Sequence, residues 1–185
     1  TPLYSSAASD VYKRQKPSYV PESITAEDIK NKNLLDVQAA VLSYGGYNLY
    51  SPALKGIFET RKNPFWTFAL SKPRGIFGNN FNAQENPEMY KAISPIYNIP
   101  NIDERKLPPQ FITSASEDRV TPVHAIEEYV KALKDAGQEV TYWEYKDQRH
   151  AYLDSGKTFL SGNDFKRDAI PALKKIMDFL NSKLL

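Results

Sequence analysis

Cysteine is absent from this sequence, which removes a thiol nucleophile, a zinc ribbon and any disulfide frame. It leaves the compartment open, because proteins without disulfides live on either side of a membrane. No run of eighteen apolar residues occurs, so no transmembrane helix is expected. Charge of one sign is scarce in excess: a net charge of +2 gives no case for nucleic acid or an anionic membrane surface. Histidine is rare, and its two copies, His124 and His150, show no zinc-ligand spacing. Glycine is thin as well, at eight residues, and no two of them stand four apart. A basic segment followed by an apolar one is missing from the N-terminus, so no signal peptide is read there. What remains, 185 residues with 41% hydrophobic and 25% charged side chains, suits one globular domain with a core.

Residues 1–16 differ from the rest. They carry neither a helical stripe nor strand alternation, and Ser9 to Gln15 resembles translated sequencing-adapter read-through at the end of an environmental gene fragment. This tail is set apart as non-native or disordered, and residues 17–185 are read as the folded part. A foreign tail would mean that the N-terminal part of the natural protein is missing. Ser23 to Ile29 has the composition of a short capped helix. Asp36 to Tyr44 is an apolar run of strand length, ended by Gly45-Gly46, and fits a buried parallel strand. Residues from about 47 to 92 are aromatic (Phe58, Phe65, Trp66, Phe68, Phe77, Phe81) and broken by Pro64, Pro73 and Pro87. They read either as a helical insertion with its own small core or as an apolar wall or lid over a pocket.

The chain is organised around Leu107 to Tyr152. Leu107 to Thr113 is a short strand entered through Pro108-Pro109. Ser114 to Asp118 is a polar turn ending in an acid. Thr121 and Pro122 suit the cap and first position of a helix. Val123, Ile126, Val130 and Leu133 form its apolar face, and Gly137 stops it. Val140 to Tyr145 is a second strand, followed by Asp147-Gln148-Arg149-His150. This is one βαβ unit, which makes the class α/β with a parallel sheet flanked by helices. A last helix, capped by Asn163 or Asp164 and running to about Leu184, presents Ala169, Leu173, Ile176, Met177, Leu180 and Leu184 to the sheet. Pro171 moves its expected start toward Asp168.

Both loops of the unit lie at one sheet edge, where ligand sites of open α/β sheets gather. Asp118 and His150, 32 residues apart with one helix between, can therefore meet there. A histidine is a general base near neutral pH, and a buried carboxylate fixes its tautomer. The plain alternative is that Asp118 is a favourable charge before a helix and His150 an ordinary loop residue. Glu117 is the reserve acid; Asp147 and Asp154 are weaker ones. Glu117 and Asp118 are adjacent and make a poor glycosidase pair. His124 is read as a surface or pocket-rim residue. Gly156-Lys157-Thr158 imitates a phosphate-loop end, but Ala151 stands where its partner glycine belongs.

The order of these motifs resembles the C-terminal part of an α/β-hydrolase, in particular the esterase and lipase group that includes hormone-sensitive lipase. The entry Leu107-Pro108-Pro109, the series Tyr129, Leu133, Gly137, and His150-Ala151-Tyr152 carry the resemblance, with Ser94-Pro95 and Val37 to Tyr44 upstream. It covers about residues 35 to 183. Ala151 and Ala115 stand where glycine is usual. The resemblance implies a carboxylic-ester hydrolase with a Ser-Asp-His triad, Asp118 and His150 as acid and base, water as second substrate and no cofactor. In that family the serine precedes the acid in a G-x-S-x-G elbow, and the sequence contains none. Ser43, before Gly45-Gly46, lacks the elbow's first glycine, because residue 41 is Val. The serine is therefore expected upstream of this sequence, and the chain alone is expected to be inactive. Two other readings stand beside the ester hydrolase: the last part of a prolyl-oligopeptidase-type peptidase, and a non-catalytic binding domain on the same fold.

Overall fold

A computed structural model describes residues 37–50, 77, 81, 83, 85–154 and 162–185. The expectations for residues 1–16, Ser23 to Ile29, Phe58, Phe65, Trp66, Phe68 and Gly156 to Thr158 lie outside the described residues. Three strands form one parallel sheet in the order β1 (Ala40–Ser43), β2 (Gln110–Ala115), β3 (Val140–Tyr145). The register sets Leu42 beside Ile112 beside Tyr142. These three point to one face, and Phe111, Thr113 and Ala115 to the other, as the two-residue period of a strand requires.

Strand β2 is central and buried along its whole length. It begins at Gln110 rather than Leu107, because Pro108 and Pro109 have no amide hydrogen to give to a ladder. The carbonyl of Pro109 still accepts from the Ala40 amide (2.9 Å). Strand β1 is a correction to the sequence reading. All four of its residues are half-buried, since among the described residues it is an edge strand with β2 on one side.

Helix α1 (Pro87–Ile93) and a 3-10 turn (Pro95–Asn98) precede β2. Ser94, buried between them, donates its hydroxyl to the Tyr90 carbonyl (2.6 Å) and accepts the Leu49 amide (2.9 Å). It thereby ties the stretch after β1 to the approach to β2. The side chain of buried Gln138 holds that approach from the other end. It accepts from the Leu107 amide (2.9 Å) and donates to the carbonyls of Pro100 (2.8 Å) and Arg105 (2.9 Å).

Helix α2 (Val123–Asp135) crosses from β2 to β3 and buries Ala125, Ile126, Tyr129, Val130 and Leu133. The last four pack with Tyr47, Leu107 and Ile112 as the core on one sheet face. Thr121 does not cap this helix. Pro122 occupies the cap position, where its ring has no group to bond, while Asp118 captures both the amide and the hydroxyl of Thr121. The helix ends as the sequence indicates. Gly137 has φ +74°, its amide bonds to the Lys134 carbonyl, and the Gln138 amide reaches back to Leu133. That is the paired closure in which a left-handed residue satisfies the last carbonyls.

The last helix, α3 (Ile170–Leu184), is entered through a π-turn, Phe165–Ala169. Asp164 caps it, accepting the amides of Lys166 and Arg167. Pro171 is the second residue of α3, just after the π-turn. The expected apolar stripe is rotated. Of the expected residues Ala169 is buried and Ile176 and Leu180 are half-buried, but Leu173, Met177 and Leu184 are 40%, 52% and 48% exposed, and Ala172 and Phe179 are buried in their place. The cause is Phe179, which stacks on Phe111 (5.2 Å between rings) and takes the sheet-facing position. Ala172 lets the helix approach Ala115 and Tyr152 closely in the second core cluster. No helix among the described residues is long and apolar enough to cross a membrane.

Candidate active site

Three loops leave the C-terminal ends of the three strands side by side. Strand β1 runs into Tyr44, β2 into Ser116–Thr121, and β3 into Lys146–Asp154. Backbone bonds stitch the last two together. The Ser116 amide donates to the Tyr145 carbonyl (3.0 Å), the Glu117 amide to the Gln148 carbonyl (2.8 Å), and the Asp147 amide to Ser116 Oγ (2.8 Å).

Asp118 lies at the meeting point, with its side chain fully buried. One oxygen, Oδ1, accepts the amides of Val120 (2.7 Å) and Thr121 (2.8 Å). The other, Oδ2, accepts the Thr121 hydroxyl (2.9 Å) and lies 2.8 Å from His150 Nδ1. Burial pushes this carboxyl up. The bond from His150, then those from the Thr121 and Val120 amides, outweigh it and hold Asp118 below the usual carboxylate range. An ionised Asp118 accepts a proton-bearing Nδ1, which leaves His150 Nε2 as the nitrogen that can take or give a proton. The His150 side chain is one-third exposed.

The histidine loop is fixed from several sides. Asn163 Nδ2 donates to the His150 carbonyl (2.8 Å). Tyr44 sets its ring edge-on to the imidazole (5.1 Å between centroids) and to Tyr152 (5.1 Å). Burial first, then the carboxylates nearby, push the Tyr44 phenol up to about 12, so it is neutral at ordinary pH. The Tyr152 phenol bonds to Thr113 and to Ser43 below the site. Tyr44, Asp147 and Ala151 all have positive φ, at 40°, 57° and 63°. Ala151 thus occupies a left-handed position, which a glycine would adopt without strain and an alanine does not.

Of the residues singled out from the sequence, Asp118 and His150 are brought together. Glu117 is not: it is exposed and pairs with Arg149 (3.5 Å). His124 is exposed on α2. Asp147 and Asp154 enter the loop geometry through their amides. Each of the five serines among the described residues is bonded away from His150. Ser43 meets Tyr152, Ser94 meets Tyr90, Ser114 meets Tyr142, Ser116 meets Asp147 and Ser182 meets Phe179. Among the described residues no group of three histidine, aspartate or glutamate side chains is arranged to hold a metal ion. Three residues of the site escape the sequence reading as site residues: Tyr44, Thr121 and Asn163. The sequence carries no separate signal for any of the three, since the turn an aspartate closes on the backbone two residues on marks Val120 rather than Thr121.

Comparison with known proteins gives a consistent picture. A family model described as the prolyl oligopeptidase family matches residues 66–184. No curated protein sequence matches the chain. Among solved structures, an acylaminoacyl peptidase of Pyrococcus horikoshii superposes with TM-score 0.54 and 22% identity, covering 80% of this chain and 20% of that one. A puromycin-hydrolyzing peptidase of Mycobacterium tuberculosis does so with TM-score 0.53 and 17% identity, over 80% and 19%. A thermophilic esterase of Thermogutta terrifontis follows with TM-score 0.50 and 19% identity, over 89% and 46%. The chain spans less than half the length of each. The architecture shared with them is the α/β-hydrolase fold.

Proposed function

The chain belongs to the prolyl oligopeptidase family, and on that premise we propose that Asp118 and His150 are the acid and the base of a serine hydrolase that cleaves carboxylic esters. The observation that carries this is the 2.8 Å approach of His150 Nδ1 to buried Asp118 Oδ2, at the strand ends where such folds place their chemistry. The sequence has no G-x-S-x-G elbow, so in this reading the nucleophile is a serine of an upstream part of the protein.

His150 Nε2 takes the serine proton as the serine oxygen attacks the ester carbonyl. The tetrahedral intermediate collapses, the C–O bond to the alcohol breaks, and His150 returns the proton to that oxygen. Water then repeats the cycle on the acyl-serine and releases the acid. Asp118 keeps Nδ1 protonated and stabilises the imidazolium formed in each half.

The motif order of the hormone-sensitive lipase group supports the ester. The family match supports a second reading, a peptide bond, in which the same His150 proton must reach a leaving amine. An assay of the full-length protein separates them, using p-nitrophenyl esters of short acids beside aminoacyl p-nitroanilides. Ester turnover that is lost in His150→Ala supports the first reading, and anilide turnover lost in the same variant the second. Turnover of neither, with no labelling by a fluorophosphonate, removes the serine-hydrolase reading. The 185-residue chain alone is expected to turn over neither substrate.

A further inference from the structure

We propose that Thr121 is a positioning residue for the acid–base pair: its backbone amide and its hydroxyl grip the two oxygens of Asp118 and set the carboxylate plane that faces His150. The inference rests on the pairing of Asp118 with His150 proposed above.

Thr121 is 4% exposed. Its amide donates to Oδ1 at 2.8 Å and its Oγ1 stands 2.9 Å from Oδ2. One residue therefore holds both ends of the carboxylate. This matters because the terminal torsion of aspartate is broad and has no sharp staggered well of its own. Without the hydroxyl on Oδ2, only the two amides on Oδ1 and His150 itself oppose a rotation that carries Oδ2 off the line to Nδ1.

The same Oγ1 lies 3.1 Å from the Tyr44 carbonyl and 3.4 Å from His150 Nδ1. The hydroxyl has a single hydrogen and two acceptors in reach. The ionised carboxylate is the stronger acceptor, and the Tyr44 carbonyl is the alternative. Thr121 thus touches the ends of all three strands: Tyr44 after β1, Asp118 after β2 and His150 after β3. A helix cap was the obvious use for this threonine, and the structure spends its hydroxyl on the acid instead.

The test uses the full chain labelled with 15N in its histidine rings. It has two histidines, so two ring systems appear, and exposed His124 serves as the reference. In the wild type, His150 is expected as the Nδ1–H tautomer, with a downfield ring proton that exchanges slowly with water. Thr121→Val keeps the branched shape and removes the hydroxyl. That proton is then expected to exchange about tenfold faster, the factor one hydrogen bond to a charged group sets, while Thr121→Ser restores the slow rate. Unchanged exchange in Thr121→Val, or equally fast exchange in Thr121→Ser, overturns the assignment. If Thr121→Val does not fold, Thr121→Ala against Thr121→Ser is read the same way. Asp118→Asn serves as the control on the premise. Should it leave the Nδ1 proton in place, the pair itself is wrong; should it abolish the proton while Thr121→Val does not, only the role of Thr121 falls.

Discussion

Replacing Asp118 with asparagine separates the chemical role of this residue from its structural one. The amide is nearly isosteric with the carboxylate. Its oxygen can stay on the amides of Val120 and Thr121, which hold it at 2.7 and 2.8 Å. Its NH2 group then faces Thr121 Oγ1 and His150 Nδ1. Thr121 adapts by turning its hydroxyl to accept, and His150 adapts by moving its proton from Nδ1 to Nε2. The number of hydrogen bonds is conserved, so the stability loss at neutral pH is expected to be about 1 kcal/mol, the difference between charged and neutral bonds. On the proposed acid–base reading the catalytic loss is expected to be far larger, because an imidazole protonated at Nε2 cannot take the serine proton. A fall in kcat of about 10^4-fold is expected, or about 5 kcal/mol in the barrier. The pH dependence has a definite sign. The folded-state Asp118 carboxyl is held below its unfolded value. Its contribution is therefore fully present above the unfolded value, about 3.9, and is lost as pH falls through the folded one. The stabilities of wild type and Asp118→Asn should converge in acid and stay apart above pH 5. Urea titrations across pH, kcat of the full-length enzyme and the His150 tautomer by 15N NMR make the set. A variant that keeps more than a tenth of kcat, or retains the Nδ1–H tautomer, refutes the reasoning.

Two further expectations follow from other buried groups. Gln138→Ala leaves the Leu107 amide and the carbonyls of Pro100 and Arg105 without their partner, and should cost about 2–3 kcal/mol in urea unfolding; a loss below about 0.5 kcal/mol would show that water replaces the side chain. Hydrogen bonds from Arg167 hold the buried Asp168 carboxyl below its usual range against the opposing effect of burial, so Asp168→Asn should lower Tm at pH 7 and lose that effect as pH drops below about 4, and a difference in Tm that persists unchanged at pH 3 contradicts it.

The βαβ unit was legible because its signals are local and strong. Gly137 marks a helix end that only a left-handed residue closes, and β3 is a run of β-branched and aromatic residues. The rotation of α3 was not legible. Leu173, Met177 and Leu184 recur at helical spacing, and so do Ala172 and Phe179. The choice between the stripes is made by a ring on another element, Phe111, so periodicity alone cannot decide it. The burial of β1 failed for a similar reason, since its half-exposure depends on which strands stand beside it. Asp118 and His150 could be picked as a candidate pair from strand-end position taken with the family resemblance, whereas Thr121 and Asn163 could not be picked. Their roles consist of bonds to a loop from another strand, and the sequence shows only a threonine before a proline and an asparagine before a helix.

The precision of the pair is a consequence of packing beneath it. Asp118 and His150 sit three and five residues beyond the paired strand ends Ala115 and Tyr145. A slip of one residue between β2 and β3 would displace one loop by about 3.3 Å and separate Oδ2 from Nδ1 beyond bonding distance. It would also turn every side chain of one strand to the opposite face. That would put Ile112 or Tyr142 out of the core beneath α2, where they pack with Leu107, Ile126 and Val130. On the other face Phe111 would leave Phe179, and Ala115 would leave Tyr152 and Ala172. The 2.8 Å distance is therefore enforced by two apolar clusters that contain neither residue. Thr121, Asn163 and Tyr44 have only the last fraction of an ångström and the orientation of the imidazole left to set.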